Sequence, residues 1–320
     1  MWLTWRAATE RALYGEEGFY LRERPSGHFR TSVSASPAFA EAVLALLAEV
    51  DAELGKPDAL DLVDIGAGEG VLVAEVLERA EPALRDRLRV TAIDLSPRPA
   101  GLPEEIAWSR ELPCCFTGLA VANEWLDNVP LDVVEQTADG PRVVMVEVHT
   151  GEERLGGPLR PADREWLDRW WPLTRMGARA EVGRPRDEAW ASVLVRLTRG
   201  RAIAIDYAHP VDNRPPCGTL TGYRDGSVVT PVPDGSCDIT AHVALDACAE
   251  AGRRAGAIST ALSTQREALR ELGLTGARPP LDLARTDPRR YLRALARASE
   301  EGELLEATGL GGFGWLSQTK

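Results

Sequence analysis

The feature that most constrains this chain is the run Asp64-Ile65-Gly66-Ala67-Gly68-Glu69-Gly70, set between two apolar segments of different period. Leu60 to Ile65 is a short, continuous apolar run of strand type, and Val71 to Leu77 has helical character. Glycines at alternate positions let the backbone approach a ligand that side chains would hold off. A second buried strand at Leu88 to Leu95 completes a β-α-β unit. Its right-handed crossover requires a parallel sheet and brings both strand ends to one edge. This second strand ends in Asp94, 24 residues after Gly70, where a carboxylate can accept both hydroxyl protons of a ribose. The alternative is a plain glycine turn with Asp94 as an ordinary strand-end residue.

Two cofactor classes use such a loop. Dinucleotides favour G-x-G-x-x-G, whose third glycine would fall at Val71, whereas S-adenosylmethionine sites favour an acid followed by G-x-G-x-G, the form present here. A dinucleotide brings a pyrophosphate to the loop, while S-adenosylmethionine brings an amino-acid end with an ammonium, which Asp64 and Glu69 suit better. The expected cofactor is S-adenosyl-L-methionine, held by Asp64, Gly66, Gly68, Gly70 and Asp94, with Asn123 assigned to the same side. A dehydrogenase is the competing reading.

Around this unit the chain divides into four stretches. Residues 1–55 read as a helical N-terminal cover, with Phe39, Val43, Leu44, Leu47 and Val50 at helical spacing. Residues 56–155 form the first part of the core, including strands at Leu119 to Ala122 and Val143 to Val148. Residues 156–200, with Trp166, Trp170 and Trp171 and few strand signals, are expected to be a helical insertion. Residues 201–320 return to the core with a strand at Ala202 to Asp206. They carry a Pro/Gly-rich segment over 210–240, too long for an ordinary connection and expected on the substrate side. A short strand at Ala257 to Leu262, two helices and a final strand from Phe313 follow. The expected fold is an α/β, Rossmann-like core of seven strands closed by that last strand.

Composition narrows the function classes. Thirty-seven basic and 49 acidic residues leave a net charge of −12, which repels nucleic acid and anionic membrane surfaces and favours a basic or neutral partner. The five cysteines show no C-x-x-C pair, and His28, His149, His209 and His242 show no i,i+4 pair or H-x-E partner. No metal site is expected, and a reduced, cytoplasmic compartment fits best. No apolar run approaches the ~18 residues of a membrane span. A homodimer is compatible with the chain.

Further motifs carry a resemblance. Gly27-His28-Phe29-Arg30-Thr31-Ser32 with Phe39-Ala40-Glu41, the Asp64 to Gly70 loop, Asp94-Leu95-Ser96-Pro97 and Ala122-Asn123-Glu124-Trp125-Leu126-Asp127-Asn128-Val129-Pro130 occur in that order. Ile205-Asp206-Tyr207, Gly218-Thr219-Leu220, Asp238 to Val243 and Thr264-Gln265 follow. From about Tyr20 to the C-terminus the chain resembles the MidA-like methyltransferases, relatives of the mitochondrial complex I assembly factor described as a protein arginine methyltransferase. That resemblance implies a class I methyltransferase fold and N-methylation of an arginine in a protein or peptide. His28 departs from the family's usual Asp, Thr221 from an Arg and Gly226 from a His, all outside the cofactor motifs. Methylation of a small molecule and a non-catalytic role as an assembly factor are the alternatives.

Methyl transfer from a sulfonium is an in-line displacement that depends mainly on positioning the nucleophile. A guanidinium keeps its protons and delocalises its lone pairs, so carboxylates that grip its fork would orient it and stabilise its charge. Glu124 and Asp127, three residues apart beyond a core strand, can face one site if they share a helical turn. The other reading has Asn123 capping a short helix whose dipole the two acids complement. His242 is a further candidate for the substrate side, and Tyr20, Tyr207 and Tyr223 for the pocket wall.

Overall fold

The computed structural model describes residues 1–22 and 31–320; the segment around His28 lies outside them. Its centre is β2 (Leu60–Ile65), buried at every position, as expected of a strand covered on both faces. Parallel neighbours β3 (Leu88–Ile93) and β5 (Phe116–Asn123) place Ala92 and Val121 on either side of Asp64. With β4 (Ile106–Ser109), β10 (Leu197–Asp206), β14 (Ser259–Thr264) and β15 (Gly314–Thr319) they form a seven-stranded sheet ordered β14-β15-β10-β5-β2-β3-β4. The chain moves outward from β2 to β3 and β4, then returns to β5 on the other side. That reversal opens a crevice at the carboxyl ends of β2 and β5, where open α/β sheets bind ligands.

One expectation about this sheet is corrected. The final strand does not close its edge but lies inside it, antiparallel to both β10 and β14. Trp315, Leu316 and Gln318 of β15 are buried, whereas β14 exposes half of its positions and takes the edge. An edge strand tolerates polar, exposed residues that an interior strand does not.

Helices cover both faces. On one side pack α4 (Pro37–Glu53), capped by Ser36 with Pro37 in its first turn, α5 (Val71–Arg79) with α6 (Pro82–Arg85) after it, and α10 (Gln265–Glu271). The hairpin α11 (Leu281–Thr286) and α12 (Pro288–Leu304) docks there through Leu304. On the other side α8 (Arg184–Arg196) and α9 (Leu245–Arg254) bury Trp190, Val193, Leu245 and Cys248 against the sheet.

The rest of the chain departs from the sequence reading. The N-terminal cover is not wholly helical. It opens with β1 (Trp2–Thr4), which pairs antiparallel with β7 (Gly140–Glu147), before α1 (Trp5–Tyr14), α2 (Phe19–Arg22) and α3 (Ser32–Ala35). The expected helical insertion, 156–200, contains α7 (Pro161–Trp170) and α8 but is not wholly helical, since it also holds β9 (Arg179–Val182) and the end of β8 (Glu153–Pro158). Alongside α7, β6 (Asp132–Thr137), β8 and β9 join β1 and β7 in a separate five-stranded sheet. The strand at Val143 to Val148 thus belongs to this lobe and not to the core. The sequences of β8 and β9, Glu-Arg-Leu-Gly-Gly-Pro and Arg-Ala-Glu-Val, lack a long alternating apolar pattern and gave no strand signal. Trp166 and Leu167 of α7 and Trp5 and Leu13 of α1 bury against this second sheet. The 210–240 segment is partly regular, with β11 (Thr221–Arg224), β12 (Ser227–Val229) and β13 (Asp238–Thr240) in a third small sheet.

Candidate functional site

The glycine loop leaves β2 with positive φ at Gly66, Gly68 and Gly70, at 73°, 57° and 71°. Gly66 and Ala67 donate backbone N–H to the Ile93 carbonyl at 2.9 and 3.0 Å, tying the loop to the end of β3. A Cβ at Gly66 would meet Trp125 Cδ1 at 2.9 Å, and one at Gly70 would meet Leu102 Cδ1 at 2.8 Å. At Gly68 a Cβ would meet none of the described residues within 4 Å. Gly68 N–H donates to Asp94 Oδ2 at 2.8 Å, and Ser96 donates its N–H and hydroxyl to Asp94 Oδ1 at 2.8 and 2.5 Å. The acid beyond β3 thereby holds the loop while keeping acceptor capacity at the cavity wall.

That wall encloses about 700 Å³. Asp64, Gly66, Gly68, Asp94 and Leu112 line one part of it, and Tyr14, Tyr20, Glu124 and Asn128 another. Gly70 caps α5 and is absent from the lining. Asp64 is buried, and burial together with the nearby Asp94 pushes its carboxyl up to about 7. Asn123 Oδ1 is buried with no hydrogen-bond partner among the described residues, while its amide donates to Glu124 Oε1 at 3.0 Å. An open glycine, a desolvated carboxyl and an orphaned amide oxygen on one wall suit a ligand with an ammonium and a ribose.

Glu124 marks the junction of the two parts. Its backbone is left-handed, φ 50°, a conformation that costs a non-glycine residue about 1 kcal/mol or more and is concentrated at functional sites. Ser32 N–H donates to its Oε1 at 2.9 Å. Burial pushes the carboxyl up to about 8, with Asp127 adding to the rise and the Ser32 and Asn123 donors opposing it.

The structure separates Glu124 from Asp127. The left-handed step at Glu124 precedes a single 3-10 turn, Leu126–Asn128, so the two acids do not share a helical face, and Asn123 caps nothing. Asp127 does not line the cavity; its Oδ2 accepts from Thr240 Oγ1 at 2.7 Å. Asp206 Oδ2 accepts the Leu126 and Asp127 N–H groups at 3.0 and 3.1 Å. Burial raises both Asp127 and Asp206, and the buried Arg186 beside them opposes the rise. Arg186 is itself held by the backbone carbonyls of Asp127, Val129, Ala241 and His242.

His242 is likewise outside the cavity. Its ring stacks on Tyr207 with centroids 5.5 Å apart and borders a small closed space with Trp171, Glu181 and Arg186. Thr219, of the Gly218-Thr219-Leu220 motif, accepts the His242 N–H at 2.9 Å and donates its own N–H to Glu181 at 2.7 Å. Of the expected wall tyrosines only Tyr20 lines the cavity.

Tyr14 gave no usable signal, and the contacts of Tyr20, Asn128, Ser32 and Gln265 were not legible, although Tyr20 is an expected wall residue and the other three lie within motifs. Tyr14 and Tyr20 stack with centroids 5.7 Å apart, Tyr14 donates to the Asn128 carbonyl at 3.0 Å, and Tyr20 donates to Asp238 at 2.9 Å. Asn128 Nδ2 also donates to Asp238, at 3.1 Å, and burial pushes that acid up to about 7, with Asp127 adding to the rise. Asn128 lay within a quoted motif, so its place in the site could have been suspected, whereas Tyr14 reaches it across 114 residues. Ser32 and Gln265 bond side chain to side chain at 2.9 Å and tie α3 to α10 beside the cavity.

Among the described residues no helix is long and apolar enough to cross a membrane, and no group of three or more His, Cys, Asp or Glu is arranged to hold a metal ion.

Comparison with known proteins places the chain among methyltransferases. A Burkholderia thailandensis protein crystallised with S-adenosyl-homocysteine is 26% identical, with a TM-score of 0.83 over 100% of this chain and 88% of that one. A native crystal structure of a protein of the same superfamily, from the same organism, is 27% identical, with a TM-score of 0.81 over 100% of this chain and 87% of that one. No curated protein matches. The model of a family described as "Putative S-adenosyl-L-methionine-dependent methyltransferase" matches residues 43–263. With that match over most of its length, the chain belongs to this family of S-adenosyl-L-methionine-dependent methyltransferases.

Proposed function

We propose that the enzyme methylates a nitrogen of an arginine side chain in a basic or neutral protein or peptide. The observation that carries this reading is the Glu124 carboxyl, half-buried and desolvated in the wall of the cofactor cavity, with the buried Asp127 and Asp206 behind it. Arg22 and Arg110 on the same wall are exposed and Arg196 is half-exposed, so solvent screens them more than it screens the buried Asp127, Asp206 and Asp238. A docked cation would favour ionisation of the raised Glu124 carboxyl beside it, so the acceptor end suits a cationic group.

Asp64 and the Asn123 amide oxygen would hold the cofactor's ammonium, Gly66 and Gly68 would let it approach the loop, and Asp94 would accept from its ribose. Bound S-adenosyl-L-methionine supplies an electrophilic methyl on a sulfonium sulfur. Glu124 would ionise when a guanidinium docks, since an adjacent cation lowers a carboxyl pKa. It would then orient the planar fork and accept the proton released as the new N–C bond forms. A carboxyl that titrates at about 8 suits that transfer near neutral pH. Tyr14 and Tyr20 would flank the guanidinium with their ring faces.

The test is to incubate the protein with methyl-labelled S-adenosylmethionine and a lysate of its source cell, then hydrolyse the labelled fraction. Label recovered as methylarginine supports the proposal. Label confined to small molecules, or no label with cofactor binding intact, overturns it.

A further inference from the structure

Most arginines of this acidic chain are tied down. Arg87 is paired with Asp51, Arg179 with Glu135 and Glu153, Arg214 with Asp246 and Arg201 with Glu53. The α11–α12 hairpin is different. Residues 285–297 hold five arginines and one acid, Asp287, a local excess of positive charge in a chain of net charge −12. Of the five, Arg297 alone has carboxylate partners, Glu41 and Glu301. The exposed guanidinium groups of Arg285, Arg289, Arg290 and Arg293 have no hydrogen-bond or ion partner among the described residues.

The arrangement along α12 makes these charges one surface. At about 100° per residue, Arg289 and Arg293 lie adjacent, with Arg290 and Leu292 on either flank. Ala298, about 180° round the helix from Arg289, is buried. Leu292 is 64% exposed, and Leu281 at the start of α11 is 74% exposed, so apolar surface stands beside the arginines. The hairpin is also connected to the cavity. Ser36 donates to Glu300 of α12 at 3.2 Å, and Ser32, at the other end of that short segment, donates its N–H to Glu124.

We infer that this face of the α11–α12 hairpin docks a short acidic segment, interspersed with apolar residues, of a partner protein. The inference goes beyond the methyl-transfer chemistry and does not depend on which acceptor is methylated. Unpaired arginines match carboxylates in geometry and charge, and the exposed leucines give the contact an apolar centre of the kind that carries binding energy. A protein segment fits better than a nucleic acid or an anionic bilayer. Those are extended polyanions, and beyond the patch they would meet the negative remainder of the molecule.

The probe is a fluorescein-labelled peptide of glutamates with two leucines, titrated with the full-length protein at low and at moderate salt and followed by fluorescence anisotropy. Saturable binding is expected, weakened at least tenfold by the combined R289E/R290E/R293E substitution and by the higher salt. Leu292→Ser should weaken it severalfold without altering the salt dependence. Unchanged S-adenosyl-homocysteine affinity shows that each variant is folded with its cavity intact, and it separates this result from any failure of the arginine-methylation reading. Equal affinity of wild type and the triple variant for the peptide overturns the inference. So does tighter binding of an RNA oligonucleotide or of phosphatidylserine vesicles to the same arginines.

Discussion

Glu124→Gln separates two effects that the desolvated carboxyl combines. The folded carboxyl titrates at about 8, whereas an unfolded glutamate titrates near ~4.3. Between those values the folded state keeps a proton that the unfolded state has lost, so stability falls as pH rises, by about 1.4 kcal/mol per unit, and levels off above the folded value. Glutamine does not titrate, yet its Oε1 can still accept from Ser32 N–H and Asn123 Nδ2, the two donors now at 2.9 and 3.0 Å. From pH 5 to pH 8 the wild type should therefore lose about 3 to 4 kcal/mol relative to the variant. Asp64 and Asp238, both pushed up to about 7, titrate in both proteins and largely cancel. The assay is urea unfolding of both proteins at unit steps across that range, read by circular dichroism with linear extrapolation. In parallel, single-turnover methyl transfer should fall roughly thirtyfold to a thousandfold, about 2 to 4 kcal/mol of transition-state stabilisation, with cofactor affinity nearly unchanged. A stability difference that stays flat with pH would refute the burial argument, and a wild-type turnover rate would remove Glu124 from the chemistry.

Asp94→Ala removes the acceptor of the Gly68 and Ser96 donors. It should weaken S-adenosylmethionine binding about tenfold or more by calorimetry, and wild-type affinity would exclude Asp94 from the site. Gly66→Ala would force a Cβ to within 2.9 Å of Trp125 at φ 73°. It should cost about 1 to 3 kcal/mol of stability and lower cofactor affinity, so an unshifted thermal midpoint would contradict the crowding seen there. Because Asp64 is protonated below about 7 and ionised above it, affinity for the cationic cofactor should climb as pH rises toward that value and then level off. Calorimetry in two buffers should show proton release on binding below pH 7 that Asp64→Asn abolishes; identical proton release in the variant would assign it to another group.

The β-α-β unit was legible from Leu60 to Asp94 because everything that defines it is local. A buried strand, glycines that tolerate positive φ, a helix and a strand-end acid follow one another within 35 residues, and the cofactor follows from that order. The membership of the seven-stranded sheet was legible only in part, since Val143 to Val148 lies in the other sheet and β4 (Ile106–Ser109) gave no signal, and the place of β15 was not legible. Strand order is settled by which neighbour buries which face, and Trp315 and Gln318 could pack inside the sheet only because β14, exposed at half its positions, covered their flank. The second sheet escaped notice because β8 and β9 carry too little apolar pattern to be recognised without the partners they pair with. The acceptor end of the cavity was decided almost entirely by tertiary structure. A spacing of three between Glu124 and Asp127 puts both on one face only in a helix, and the left-handed step at Glu124 turned one toward the cavity and the other toward Thr240. Tyr14 and Tyr20 arrive from the N-terminal helices to meet Asn128 and Asp238 more than a hundred residues away. Local sequence encodes contacts along one strand or helix; contacts between distant segments exist only once packing has brought them together, and the acceptor wall is made of those.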